Sequence, residues 1–204
     1  MTSLKPELTE ESPSQTAGPY VHIGCCPNFI GLDQIYASDA GSKMISESTP
    51  GQLITITGRI FDGAGDLLKD GLVEIWQADS SGQYSQEVIG EIDAHFCGWG
   101  RCPTDLETGE YLFETVKPGS TANDSGLIQA PHIDVWIVAR GINSGLLTRL
   151  YFPDEEEAND LDAILNAVQP HHRIETLIAK NVADSHYQFD IYLQGERETV
   201  FFDL

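Results

Sequence analysis

Residues 52–61 (QLITITGRIF) alternate apolar and polar side chains, the period-two pattern of a strand with one buried face. The pattern stops at residues 62–66 (DGAGD), an Asp/Gly cluster that marks a turn. Similar strand-like runs recur at 71–78 (GLVEIWQA), 110–116 (EYLFETV), 133–139 (IDVWIVA), 146–152 (LLTRLYF), 187–193 (YQFDIYL) and 199–202 (TVFF). Lys117-Pro118-Gly119 closes one of them, and the short connector 140–145 joins two others. Short strands at this spacing predict an antiparallel β-sandwich. One helix interrupts the pattern. Asp154 can cap it, Glu155, Glu156 and Glu157 suit its first turn, and Leu161, Ile164, Leu165 and Val168 recur at helical spacing. Residues 15–20 (QTAGPY) are expected to run extended across a surface, because Pro19 lacks an N–H and restricts Gly18. The predicted fold is therefore mostly β: an antiparallel sandwich with one short helix and long loops. It occupies residues 13–204, after a loose polar tail at 1–12.

Composition narrows the function. The 204 residues, 41% of them hydrophobic, suffice for one domain with a real core. Asp and Glu outnumber Lys and Arg by 32 to 11, giving a formal charge of −21. A chain so acidic repels a phosphate backbone and an anionic membrane surface, so neither nucleic acid nor membrane is an expected partner. No stretch approaches the ~20 apolar residues of a membrane span. The polar first residues do not read as a signal peptide, which points to the cytoplasm. The four cysteines fit that compartment as free thiols. Cys25 and Cys26 are adjacent, and Cys97 and Cys102 lack the spacing of a zinc knuckle.

Read residue by residue, the chain offers no complete catalytic set. There is no nucleophile elbow and no phosphate-binding glycine loop. Of the six histidines, His171 and His172 are neighbours and form a poor chelate. His132 and Asp134 have the i, i+2 spacing that places two side chains on one strand face, where both would suit iron, but a pair supplies only two ligands.

An ordered series of motifs resembles the intradiol ring-cleaving dioxygenases. It runs through 13–24 (PSQTAGPYVHIG), 58–63 (GRIFDG), 74–79 (EIWQAD), 98–101 (GWGR), 115–119 (TVKPG), 130–132 (APH), 139–143 (ARGIN), 148–154 (TRLYFPD), 176–180 (TLIAK), 189–191 (FDI) and 194–203 (QGERETVFFD). The resemblance is closest to the α chains of the two-chain members of that family. It implies a partner β chain holding a non-haem Fe(III) by two tyrosines and a His-x-His pair, and assembly of αβ pairs into a higher hetero-oligomer. It also implies O2-dependent cleavage of protocatechuate (3,4-dihydroxybenzoate) to 3-carboxy-cis,cis-muconate.

This chain departs from the β-chain pattern. His132 matches the first histidine, Asp134 replaces the second, Ser120 and Thr121 stand where a tyrosine is expected, and Gln129 replaces an arginine. No tyrosine lies between Tyr84 and Tyr111, where the other ligand is sought. The resemblance thus implies a degenerate metal site at His132 and Asp134, no iron on this chain, and no catalytic residue of its own. Its implied contribution is an edge of the partner's active site, formed by Thr16, Gly18, Pro19, Tyr20, Tyr84 and Arg140. Gly18-Pro19 offers a stiff backbone that a flat ring can approach, the tyrosines offer rings and hydroxyls, and Arg140 a cation for an anionic substrate. Two other classes stay open on the strand pattern and residues alone: a ligand-binding β-sandwich module, and a separate metalloenzyme built on His132 and Asp134.

Overall fold

The computed structural model describes residues 16–32, 34–84, 95–122 and 126–203; the expected tail at 1–12 lies outside them. In chain order the elements are α1 (Pro19–Cys25), β1 (Leu53–Phe61), β2 (Leu72–Trp76), β3 (Trp99–Pro103), β4 (Glu110–Val116), β5 (Thr121–Ala122), β6 (Ile128–Gln129), β7 (His132–Val138) and β8 (Leu146–Tyr151). They are followed by α2 (Glu156–Leu161), α3 (Ala163–Asn166), a 3₁₀ helix (His171–Leu177), β9 (Lys180–Ala183), β10 (His186–Gln188) and β11 (Ile191–Tyr192).

Two sheets carry the fold. In one, β1 pairs antiparallel with β4 along one edge; along the other it pairs in parallel with β10 and then β11, and β9 extends β10. The second sheet is antiparallel in the order β3-β2-β7-β8. Alternation places Ile54, Ile56 and Ile60 of β1 and Tyr111 and Phe113 of β4 in one core with Val73, Ile75, Ile133, Val135, Ile137 and Leu150 of the other sheet. The mostly antiparallel, strand-rich architecture is the one the pattern predicts.

Four local expectations are revised. Pro19 does not keep its segment extended: it opens α1 at a first-turn position, where a missing N–H costs nothing, and Gly18 before it is extended (φ −121°, ψ −174°). The expected single helix is two short ones. Asp154 does not cap it, because its carboxylate accepts hydrogen bonds from Lys117 Nζ (2.7 Å) and the Tyr187 hydroxyl (3.0 Å). The cap is Asp162, fully buried, whose Oδ1 accepts from the N–H groups of Ile164 (2.9 Å) and Leu165 (2.8 Å) while Oδ2 accepts from that of Ala130 (2.8 Å). Residues 199–202 form no strand; Phe202 makes an isolated bridge to Leu147. Strand β3, unforeseen, is a sheet edge, where Pro103 is tolerated.

Segment 156–177 folds over the outer face of the second sheet. There a smaller cluster, Ala130, Tyr151, Leu165, Val168 and Leu177, buries the start of β7 and the end of β8. All four cysteines are free. Among the described residues no helix is long and apolar enough to cross a membrane.

Between β1 and its neighbours the packing leaves no room for a side chain at Gly58. The Phe189 carbonyl and the Tyr111 hydroxyl, themselves hydrogen-bonded, stand where a Cβ would be. Gly58→Ala is expected to lower stability by about 2–3 kcal/mol, read as a reduced urea midpoint, because backbone rather than a mobile side chain must yield.

Candidate functional site

Strand β7 carries chemistry at both ends. At its C-terminal end the chain turns at Ala139–Gly141. The Thr16 hydroxyl accepts a hydrogen bond from the Gly141 N–H (2.7 Å) and donates to the Ala139 carbonyl (3.4 Å). This bridge fastens the segment leading into α1 beside Arg140. Gly18 faces open space. Tyr20, on the first turn of α1, is 82% exposed. Arg140 is also exposed and binds Asp70 through Nε (2.7 Å) and Nη2 (2.6 Å). Between them lies a cavity of about 330 Å³, lined among others by Gly18, His22, Ile23, Asp70, Leu106 and Arg140. The structure thus brings Thr16, Gly18, Pro19, Tyr20 and Arg140 to one edge. His22, Asp70 and Leu106 were not singled out from sequence, because they come from three separate segments with no shared motif.

Tyr84 is not on that edge. It sits at the other end of β7, which spans roughly 20 Å at ~3.3 Å per residue. There His132, although on the outward-facing side of its strand, is 2% exposed. Its Nδ1 lies 2.7 Å from the Ala130 carbonyl, so Nδ1 carries the proton and donates. The lone pair on Nε2 then faces the Tyr84 hydroxyl at 3.5 Å. The Tyr84 ring lies nearly parallel to Trp76 of β2, with 9° between the planes. Tyr151, opposite His132 in the β7–β8 register, packs against the imidazole.

Two residues further in, on the same face, Asp134 is registered between Trp76 of β2 and Arg149 of β8. Arg149 Nε donates to Asp134 Oδ1 (2.7 Å) and Nη1 to Gln129 Oε1 (2.9 Å), with only 11% of the arginine side chain exposed. Sequence reading passed over Arg149; a lone charge inside the apolar run LTRLYF was the signal.

Electrostatics keep the cluster neutral apart from this ion pair. Burial, and then the charge of Arg149, push the His132 imidazole below its ordinary value. Burial, and then the charge of Asp134, raise the Tyr84 phenol, and burial pushes Tyr151 up to about 12.

The fold defines a class of protein. The family model described as dioxygenase matches residues 25–195, and the chain belongs to this family, the intradiol ring-cleaving dioxygenases. Within it, the chain is similar to the protocatechuate 3,4-dioxygenase alpha chain of Pseudomonas putida, 43% identical over 97% of this chain and 98% of the other. The alpha chain of the same enzyme from Burkholderia cepacia is 37% identical over the full length of both. Among solved structures, the dioxygenase domain of a carbohydrate-binding fusion protein from Streptomyces sp. SirexAA-E matches with a TM-score of 0.57 and 27% identity, over 79% of this chain and 91% of that one. The chain is a dioxygenase subunit.

Members of this family use Fe(III), but the donors here do not fit such an ion. Among the described residues no group of three or more His, Cys, Asp and Glu side chains is arranged to hold a metal. Asp134, the second candidate ligand, is committed to a guanidinium, a fixed positive charge where a cation would have to enter.

The His132 shift has a consequence for stability. The unfolded chain takes up a proton near pH 6.5 that the folded chain resists. Stability from this residue is therefore complete above pH 6.5 and declines as the pH falls below it. In His132→Gln the difference between urea midpoints at pH 7.5 and pH 5.5 is expected to narrow relative to the unsubstituted chain.

Proposed function

We propose that this chain is the non-catalytic α subunit of a heteromeric enzyme that opens the ring of protocatechuate between its two hydroxyl-bearing carbons. In this reading a partner β chain holds the Fe(III) that activates the catecholate, and αβ pairs assemble into a higher oligomer in the cytoplasm. The observation that carries the reading is the Thr16 bridge, which fixes residues 16–20 against the Arg140 turn in a chain related to named alpha chains along its whole length.

The chemistry of the edge suits a flat, anionic aromatic acid. Gly18 lets a ring approach the backbone closely, and Tyr20 offers a ring face and a hydroxyl. Arg140 can pair with the substrate carboxylate or with charge that develops on it. Its present partner Asp70 is no obstacle, because an exposed ion pair contributes only about 0–1 kcal/mol and exchanges readily. The exposed apolar side chains of Ile23 and Leu106 at the cavity, and of Tyr20 on the same helix, suit burial against the partner chain. Tyr84 stands apart from this edge, and its contacts assign it to the interior cluster around His132.

Two measurements test the reading. Produced alone, the chain is expected to be colourless and inactive; co-expression with a chain carrying two tyrosines and a His-x-His pair should yield an iron-loaded enzyme. An iron-loaded, active chain on its own would overturn the proposal. In the assembled enzyme, Arg140→Ala is expected to reduce kcat/KM for protocatechuate about tenfold or more, the loss of one charge-assisted contact, with iron content unchanged. Unaltered kinetics would remove Arg140 from the site.

A further inference from the structure

In a chain with 32 acidic residues, most cations find a carboxylate. Arg59, Arg101, Lys117, Arg140, Arg149 and Arg173 each form an ion pair. Among the described residues Lys43, Lys69, Lys180 and Arg197 do not. Two of these exceptions share a place. Lys180, at the start of β9, and Arg197, in the turn after β11, line one cavity of about 240 Å³.

Arg197 is held there without being satisfied. Its guanidinium carbon lies 4.3 Å from the centroid of the Tyr192 ring, and Tyr192 is itself stacked on Phe61, with centroids 4.9 Å apart and 12° between the planes. The contact engages the charge but no N–H, and the guanidinium donors form no hydrogen bond among the described residues. A guanidinium so placed keeps its planar fork ready for a carboxylate.

The rest of the lining decides what the fork would meet. Ile178, Phe189 and Tyr192 give the cavity an apolar wall. Two carboxylates border it as well. Asp190 is engaged, with Oδ1 accepting from the Arg59 N–H (3.1 Å) and Oδ2 from Gln188 Nε2 (2.9 Å). Glu175 is exposed and pairs with neither cation. Against these two acids a dianion such as phosphate is disfavoured, and a neutral molecule would leave both cations unused. One carboxylate on an apolar body uses the fork, the ammonium and the wall together.

We propose that this cavity binds a small monocarboxylate with an apolar body, held at its carboxylate by Arg197 and Lys180. Aromatic acids belong to this class. The inference is independent of the edge at Arg140, since the two cavities share no lining residue.

Titration of the full chain with 4-fluorobenzoate, followed by fluorine NMR, tests it. Arg140→Ala is carried in every sample, so that the edge cavity cannot supply the signal. That chain is expected to bind one equivalent with a Kd on the order of 1 mM. Adding Arg197→Gln should weaken binding about tenfold or more, and adding Lys180→Gln about threefold or more; both side chains are exposed, so neither change threatens the fold. Arg197→Lys, which keeps the charge but loses the fork, should fall between. 4-Fluorobenzamide, the same body without the charge, and inorganic phosphate should each bind about tenfold more weakly than 4-fluorobenzoate or worse. Absence of saturable binding overturns the proposal. So does unchanged affinity in Arg197→Gln, or equal affinity for the benzamide or for phosphate.

Discussion

Both candidate regions of this chain depend on β7 being pinned along both edges. It is hydrogen-bonded to β2 on one side and β8 on the other, and Ile133, Val135 and Ile137 drive its inner face into the core. A strand so held has no freedom to slip, because a shift of one residue would send the apolar set outward and the polar set inward. The positions of His132 and Asp134 on the outer face, and of the Arg140 turn at the far end, follow from that register. The two regions are separate in space yet share one rigid rod.

Each end carries an arginine paired with an aspartate, and the surroundings give the two pairs different properties. Arg140 and Asp70 meet in solvent, where water screens the attraction and either partner can be recruited elsewhere. Arg149 and Asp134 meet largely out of solvent, their side chains 11% and 21% exposed, where separating them strands a charge in a poorly hydrated place. The first geometry suits an exchangeable contact, the second a permanent one. In a chain with 21 more acidic than basic residues, cations are scarce, and each of these two has an aspartate partner.

Much of the fold was legible because alternation is a local signal with a physical cause. Residues 52–61 show it cleanly and 133–139 read as a strand from their β-branched, apolar content, and both are strands at nearly those boundaries. It failed where the determining contact was distant in sequence. Asp154 reads as a cap until Lys117 and Tyr187 claim its carboxylate, and Pro19 reads as a helix breaker until its position at the first turn is known. Strand β3 shows no alternation, and the contacts that tie it to β2, Trp99 and Arg101 to Glu74, appear only once the strands are paired. For the site, the Thr16-to-Tyr20 segment and Arg140 were legible through motif resemblance, whereas their meeting through the Thr16 hydroxyl was not. Tyr84 was legible as a residue of interest but not as a neighbour of His132, because the contact is made across a loop. Arg149 was hidden by its own strand, in a run that reads as ordinary core.

Asp162 shows how narrowly such a structure can be drawn. Its backbone N–H closes α2 on the Asn159 carbonyl, its carboxylate starts α3 and accepts the Ala130 N–H, and the Ala130 carbonyl fixes the imidazole of His132. Asparagine would offer a single acceptor oxygen for these three donors, and glutamate would overshoot the helix start by one methylene. Position 162 therefore couples the helix junction to the tautomer of a histidine thirty residues away, so that a side chain with fewer acceptors there would loosen both at once.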